Sequence, residues 1–334
     1  MEFKHVQTAH CENGVIVGLL KHQGVNKITE PLAFGLGSGL FYIHIPFLKI
    51  QGGPAIAFRS MPGSIFKRTC KTLNIEMNRK KFNDPKKGEQ YLNKKLAENI
   101  PVGCQAGVFH LDYFADEYRF HFNAHNLIVY GRNETGYLVS DPVMEDVTTL
   151  SYDKMERARF AKGALAPKGH LYYPSKVNEI TDAMIRNGIV KGIKHNVRDM
   201  LDIPGKLAGV KGIGYTAGKV RKLREKGQKE AGLYLGQIIR MQEEIGTGGG
   251  GFRFLYAAFL EEAVAYMHDD RLLAFSEKIT KAGDLWRDSA VQMAGVYKGR
   301  LTAQSDYDAI ADLMLEIKAK EFEVFSGLRK LKLK

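Results

Sequence analysis

Three cysteines in 334 residues, at positions 11, 70 and 104, are too few and too scattered for a disulfide framework. An odd count leaves at least one thiol free, and this usage fits a reducing compartment, so the cytoplasm is the expected location. The opening Met1-Glu2-Phe3-Lys4-His5 has neither the basic start nor the apolar run of a secretory signal. Long hydrophobic runs are lacking as well. The uncharged stretch from Pro31 to Leu48 contains Gly35, Gly37, Ser38, Gly39, His44 and Pro46, whereas a bilayer span needs about 20 mostly apolar residues in helix. It reads as buried strands and turns, and no transmembrane segment is expected.

Acidic residues are in deficit, 37 against 49 lysines and arginines, for a net charge of +12. The excess is uneven: 11 Lys/Arg face 4 Asp/Glu between residues 51 and 100, and 19 face 10 between 151 and 250. Such a surface suits an anionic partner, among which nucleic acid ranks low because no basic-and-aromatic interleaving or zinc spacing is present. With 44% hydrophobic and 26% charged residues the chain has the make-up of a globular protein, which excludes disorder as its main state.

Periodicity divides the chain into an α+β part, residues 1–150, and a mainly α-helical part, residues 151–334. Val15, Ile16, Leu19 and Leu20 predict a helix from Cys11 to Gln23 that Gly24 ends. Leu32 to Ile50 reads as strand pieces, and Asp84-Pro85 opens a helix through Glu98. Short apolar blocks at Pro101–His110, Asn126–Gly131 and Gly136–Val139 predict strands, the last two joined by a hairpin turn at residues 132–136. Helices are expected at 177–187, 219–245, 253–268, 270–284, 286–299 and 306–326. Asp202 to Gly218, with Pro204 and five glycines, reads as a linker or loop.

Cys11 stands at the start of its helix, where the macrodipole favours a thiolate, the reactive form of the residue. His125 begins one strand of the hairpin, and Asp141 ends the return strand sixteen residues later. The start of one antiparallel strand and the end of the next share an edge, so the two side chains can meet. Asp141 would then orient the imidazole, and His125 would act as base toward Cys11 as nucleophile.

At this point the sequence resembles a known family. His10-Cys11-Glu12, the segment from Glu30-Pro31-Leu32 through Gly39 and the His125 to Pro142 hairpin are similar to the N-terminal domain of the butirosin biosynthesis protein H family. That domain looks like a branch of the papain-like cysteine peptidases. The segment from Gly246 through Gly251-Phe252-Arg253 to Leu260 resembles the helical domain of unassigned function, DUF4872, that accompanies it. The resemblance implies a papain-like N-terminal domain followed by a helical one. It also implies an acyltransferase that takes an acyl group from an acidic acyl carrier protein, or from coenzyme A, through a Cys11 thioester to a small amine. By residue match Cys11, His125 and Asp141 are nucleophile, base and orienter. A peptidase or amidase with the same triad and water as acceptor is the alternative. The acyl donor would arrive as a phosphopantetheine-linked substrate, with no cofactor bound permanently.

Weaker candidates surround the triad. The papain-like pattern places an oxyanion-hole glutamine six residues before the nucleophile, where this chain has His5; Gln7, four before, is an uncertain substitute. Glu30 is placed to hydrogen-bond near Cys11, to bind an amine or to serve as a loop anchor. The Gly246–Gly251 loop precedes a helix start, so its N–H groups could bind a phosphate with Arg253 and Tyr256 nearby, or could simply form a tight turn. His5, His10 and Cys11 lack a fourth zinc ligand, so no metal is expected. The alternating basic tail from Leu328 to Lys334 reads as a solvated end or a carrier-protein or membrane contact. Oligomeric state is not legible.

Overall fold

The structure, a computed structural model, describes residues 1–50 and 53–333; Lys334, the last residue of the basic tail, lies outside them. The chain runs α1 (Cys11–His22), α2 (Glu30–Leu36), β1 (Leu40–Ile50), β2 (Gly53–Arg59), α3 (Ser64–Thr72), β3 (Ile75–Lys80), α4 (Pro85–Ala97), β4 (Val102–Ala106), β5 (His125–Arg132) and β6 (Gly136–Ser140). It continues with β7 (Thr148–Ser151), α5 (Tyr152–Arg159), β8 (Leu171–Val177), α6 (Asp182–Leu201), α7 (Gly209–Arg221), α8 (Gln228–Ile239), α9 (Arg253–Met267), α10 (Arg271–Tyr297) and α11 (Gln304–Lys330). The fold is mixed α and β, with a sheet toward the N-terminus and a helical region toward the C-terminus.

The chain divides into two compact units that do not follow sequence order. Met1–Ala33 joins Phe66–Thr181, and Phe34–Ile65 joins Asp182–Lys334. The first unit is built on a six-stranded antiparallel sheet of order β3-β8-β4-β5-β6-β7. Strand alternation assigns its two faces. Leu127 and Val129 of β5 point into a core with Leu92 and Leu96 of α4 and Met155 and Ala158 of α5. Ile128, between them, points to α1, where its Cδ1 would lie 2.7 Å from a Cβ placed on Gly18. The sheet thus separates α1 from the main core, and α1 carries Cys11 on its first turn.

The second unit gathers helices around the β1–β2 hairpin. Its interior is aromatic: Trp286 lies 5.7 Å from Tyr42 and 5.1 Å from Phe58, ring to ring. Close backbone crossings need glycine here. A Cβ on Gly192 of α6 would stand 2.3 Å from the Gly35 carbonyl oxygen.

Several expectations are corrected by these elements. The stretch from Leu32 is helical before it is a strand, because Thr29 accepts the Leu32 N–H at 3.2 Å and Pro31 suits a first helical turn. The glycine-rich segment from Asp202 to Gly218 is not a linker throughout, since α7 occupies it from Gly209. Its Gly212 packs where a side chain would meet the Leu207 carbonyl, so packing overrides propensity. The two helices expected at 270–284 and 286–299 are one, α10. Residues 177–187 begin as the end of β8, and α6 starts only at Asp182. No helix among the described residues is long and apolar enough to cross a membrane.

Candidate active site

The site is assembled from three parts of the first unit. The segment before α1 is tied to the end of β6: Thr8 N–H donates to the Pro142 carbonyl at 2.7 Å, and the His5 ring bonds Ser140 Oγ at 2.8 Å and the Met144 carbonyl at 3.1 Å. Gly14, one turn into α1, lets the helix approach closely, for a Cβ there would stand 2.1 Å from Thr8 Oγ1 and 2.3 Å from Pro142 Cβ. The helix that starts at Cys11 is therefore pressed against the residue that follows Asp141.

His125 and Asp141 meet as the hairpin register requires. β5 pairs with β6 through Ile128↔Ser140, and the His125 Nε2 lies 2.7 Å from Asp141 Oδ2. The same Oδ2 accepts the Tyr113 hydroxyl at 2.7 Å, while Oδ1 accepts the Val143 N–H at 3.2 Å. Phe114 presents an edge to the imidazole at 5.6 Å between ring centres. Every strong contact of the carboxylate thus holds it in one orientation.

Cys11 is 8% exposed, His125 6% and Asp141 fully buried. Burial pulls the His125 pKa down, but the negative charges and hydrogen bonding of Asp141 and Cys11 outweigh it, and the imidazole is pushed up to about 10. Nε2 is engaged by Asp141, which leaves Nδ1 for the sulfur. The other two thiols differ: burial pushes Cys70 up to about 12 and also raises Cys104, so both are held as inert thiols in the core.

A fourth group reaches the sulfur. Asn126 Nδ2 lies 3.9 Å from Cys11 Sγ and donates to the Ala124 carbonyl at 3.1 Å, and its Oδ1 accepts the Tyr172 hydroxyl at 2.7 Å. Asn126, Tyr172, Tyr113 and Phe114 join the site only in the folded chain. For Asn126 a signal existed: it is a polar residue one strand period before Ile128, hence on the α1 face, ahead of the apolar run Leu127–Val129.

The weaker candidates fall elsewhere. Gln7 is exposed. Glu30 anchors backbone: its carboxylate accepts the Ala9 N–H at 2.9 Å and the His10 N–H at 2.7 Å, fixing the two residues before Cys11. Burial raises its pKa despite those donors. In the second unit Arg253 is wholly buried and forks onto Glu321 at 2.8 and 2.9 Å, with a third bond to the Gly251 carbonyl at 2.7 Å. Of the two readings left open for this segment, phosphate binding through Arg253 or a structural turn, the contacts favour structure: the guanidinium is taken up by an internal ion pair. Tyr256 is equally enclosed, and its hydroxyl has no hydrogen-bond partner among the described residues. The glycine loop does hold an anion, but its own: Gly250 N–H donates to the Glu243 carboxylate at 3.1 Å. Among the described residues no cluster of three metal-ligating side chains occurs.

The family of the butirosin biosynthesis protein H N-terminal domain matches residues 10–142, and the domain of unknown function DUF4872 matches residues 153–328, more than half of the chain. The chain belongs to the DUF4872 family. Its butirosin biosynthesis protein H match opens one residue before Cys11 and closes one residue after Asp141, so it contains Cys11, Tyr113, Phe114, His125, Asn126 and Asp141 but not Tyr172. None of the curated proteins matches the chain.

Proposed function

We propose that this DUF4872 family member is a biosynthetic enzyme of the butirosin biosynthesis protein H type, a papain-like cysteine acyltransferase. The observation that carries the reading is the 2.7 Å contact of His125 with Asp141 beside a cysteine on the first turn of a helix. An imidazole raised to about 10 beside Asp141 and Cys11 supports a cation held next to the attacking sulfur.

The chemistry follows from the groups present. The Cys11 thiolate attacks the carbonyl carbon of a thioester, and the carbonyl π electrons move onto oxygen. Collapse expels the donor thiolate, which takes the proton from His125. With the Cys11 charge spent in the acyl-enzyme, neutral His125 accepts a proton from an attacking amine, and Cys11 leaves as thiolate. Thioester exchange is close to balanced in free energy, whereas amide formation drives the second step. A net charge of +12 favours an acidic carrier protein as donor. A cysteine only 8% exposed suits the thin phosphopantetheine arm of a carrier or of coenzyme A better than a bulky chain.

Mass spectrometry tests the reading. After incubation with an acyl-carrier thioester, the intact chain should gain one acyl group on Cys11, absent in Cys11→Ala, and a small amine should discharge it. Rapid loss to water instead would make the chain a cysteine hydrolase. No adduct with either carrier or coenzyme A thioesters would sink the acyl-transfer reading.

A further inference from the structure

We infer that the Asn126 side-chain amide, oriented by Tyr172, is an oxyanion-hole donor for acylation of Cys11; this rests on the acyl-transfer reading above.

The papain-like pattern would put the side-chain donor before the nucleophile, yet that position holds His5, whose ring is bound to Ser140 and Met144, and Gln7 is exposed. Asn126 reaches the sulfur from the sheet instead. Its amide cannot be turned around, because the Ala124 carbonyl oxygen can only accept and so requires Nδ2 on its side. The Tyr172 hydroxyl donates to Oδ1 and completes the lock. One N–H of the amide serves Ala124, and the other is directed at Cys11 Sγ, 3.9 Å away. A carbonyl carbon bonded to that sulfur would carry its oxygen within reach of this N–H. The second donor is the Cys11 backbone N–H, which as the first residue of α1 has no carbonyl one turn back within the helix. The new C–S bond places negative charge on oxygen between these two donors; on collapse that electron pair re-forms the carbonyl and the charge leaves on the donor thiolate.

The sheet is built to allow this. Tyr172 belongs to β8 and Asn126 to β5, with β4 between them. Gly103 of β4 pairs with Tyr172 on one side and Ile128 on the other, and a Cβ on Gly103 would lie 2.4 Å from the tyrosine ring. The missing side chain lets the ring lie across the middle strand and deliver its hydroxyl to the far one. Tyr172 is thus a positioning residue, and Asn126 a catalytic one.

The test separates oxyanion stabilisation from thiol reactivity in the full chain. Alkylation of Cys11 by iodoacetamide forms no oxyanion, whereas acylation by p-nitrophenyl acetate or by an acyl-carrier thioester does. Asn126→Ala should slow acylation by about 10²–10³-fold, the loss typical of one oxyanion donor, and leave alkylation within about threefold. Tyr172→Phe, which keeps the ring, should slow acylation by about 10-fold with alkylation unchanged, and serves if Asn126→Ala does not fold. Equal slowing of both reactions, or acylation of Asn126→Ala by p-nitrophenyl acetate at the natural rate, overturns the assignment. A natural chain acylated by p-nitrophenyl acetate but by no thioester overturns the donor class alone, with Asn126 still judged on the ester. A natural chain inert to both donors removes the enzymatic reading and this inference together.

Discussion

Gly14 and Pro142 touch where no side chain fits: a Cβ on the glycine would stand 2.3 Å from that of the proline. The contact sets the depth at which α1 meets the end of β6, and so the separation of Cys11 from the His125–Asp141 pair. Gly14→Ala should force the helix outward, costing about 1–3 kcal/mol as overpacking does. Acyl loading of Cys11 should fall at least about 10-fold, since small displacements of a reacting group cost that much or more. Loading at the natural rate in a stably folded Gly14→Ala protein would mean that this contact does not set the geometry.

Asp141→Asn gives a pH signature. In the natural chain His125 is raised to about 10 from 6.5, so its imidazolium persists through neutrality and loss of its proton should set an alkaline fall in loading near pH 10. The variant keeps the burial that lowers the pKa and loses a charge that raises it, so the alkaline fall should move to lower pH. Stability carries the same sign. A folded-state pKa above that of the unfolded chain stabilises fully below about pH 6.5 and loses that contribution as pH rises toward 10. Denaturation at a series of pH values should find this slope in the natural protein and a flatter one in Asp141→Asn.

The Glu30 carboxylate is engaged by the backbone ahead of Cys11. Glu30→Ala strands the N–H groups of Ala9 and His10, which its carboxylate now accepts at 2.9 and 2.7 Å. The expected cost is about 1–3 kcal/mol in a urea titration. Acylation and alkylation of Cys11 should slow together, because the segment leading into Cys11 loosens. Slowing of amine discharge alone would instead make Glu30 a binder of the acceptor.

Arg253→Ala should cost about 3–5 kcal/mol, since it leaves the Glu321 carboxylate buried and uncompensated. Arg253→Met combined with Glu321→Leu should recover much of that loss. The readout is built in: Trp286, the single tryptophan in the sequence, donates its indole N–H to Glu321 Oε1 at 2.7 Å, so its emission follows the pair directly. A stable Arg253→Ala protein with impaired carrier binding would restore the phosphate role to Arg253.

The sequence disclosed the parts of the site that depend on local order. The apolar spacing after Cys11 marks a helix start, and the blocks flanking residues 132–136 mark a hairpin whose edge joins His125 to Asp141. What stayed hidden depends on strands far apart in the chain. β8 reads poorly because Pro174 and the polar pair Ser175-Lys176 interrupt it, so Tyr172 had no visible relation to Asn126. Arg253 and Glu321 are 68 residues apart, and no periodicity announces that a basic residue after a glycine loop will turn inward. The glycines of α7 misled for the opposite reason, since composition suggested a loop where tight packing demands small residues.

The strand order holds one last consequence. β8 lies between β3 and β4, yet it belongs to the span that matches DUF4872, while β3, β4, β5 and β6 belong to the span that matches butirosin biosynthesis protein H. Severing the chain between the two spans would open a gap inside a sheet rather than free two modules. During synthesis on the ribosome, the sheet must wait until residue 177 has emerged before β3 and β4 find their shared neighbour.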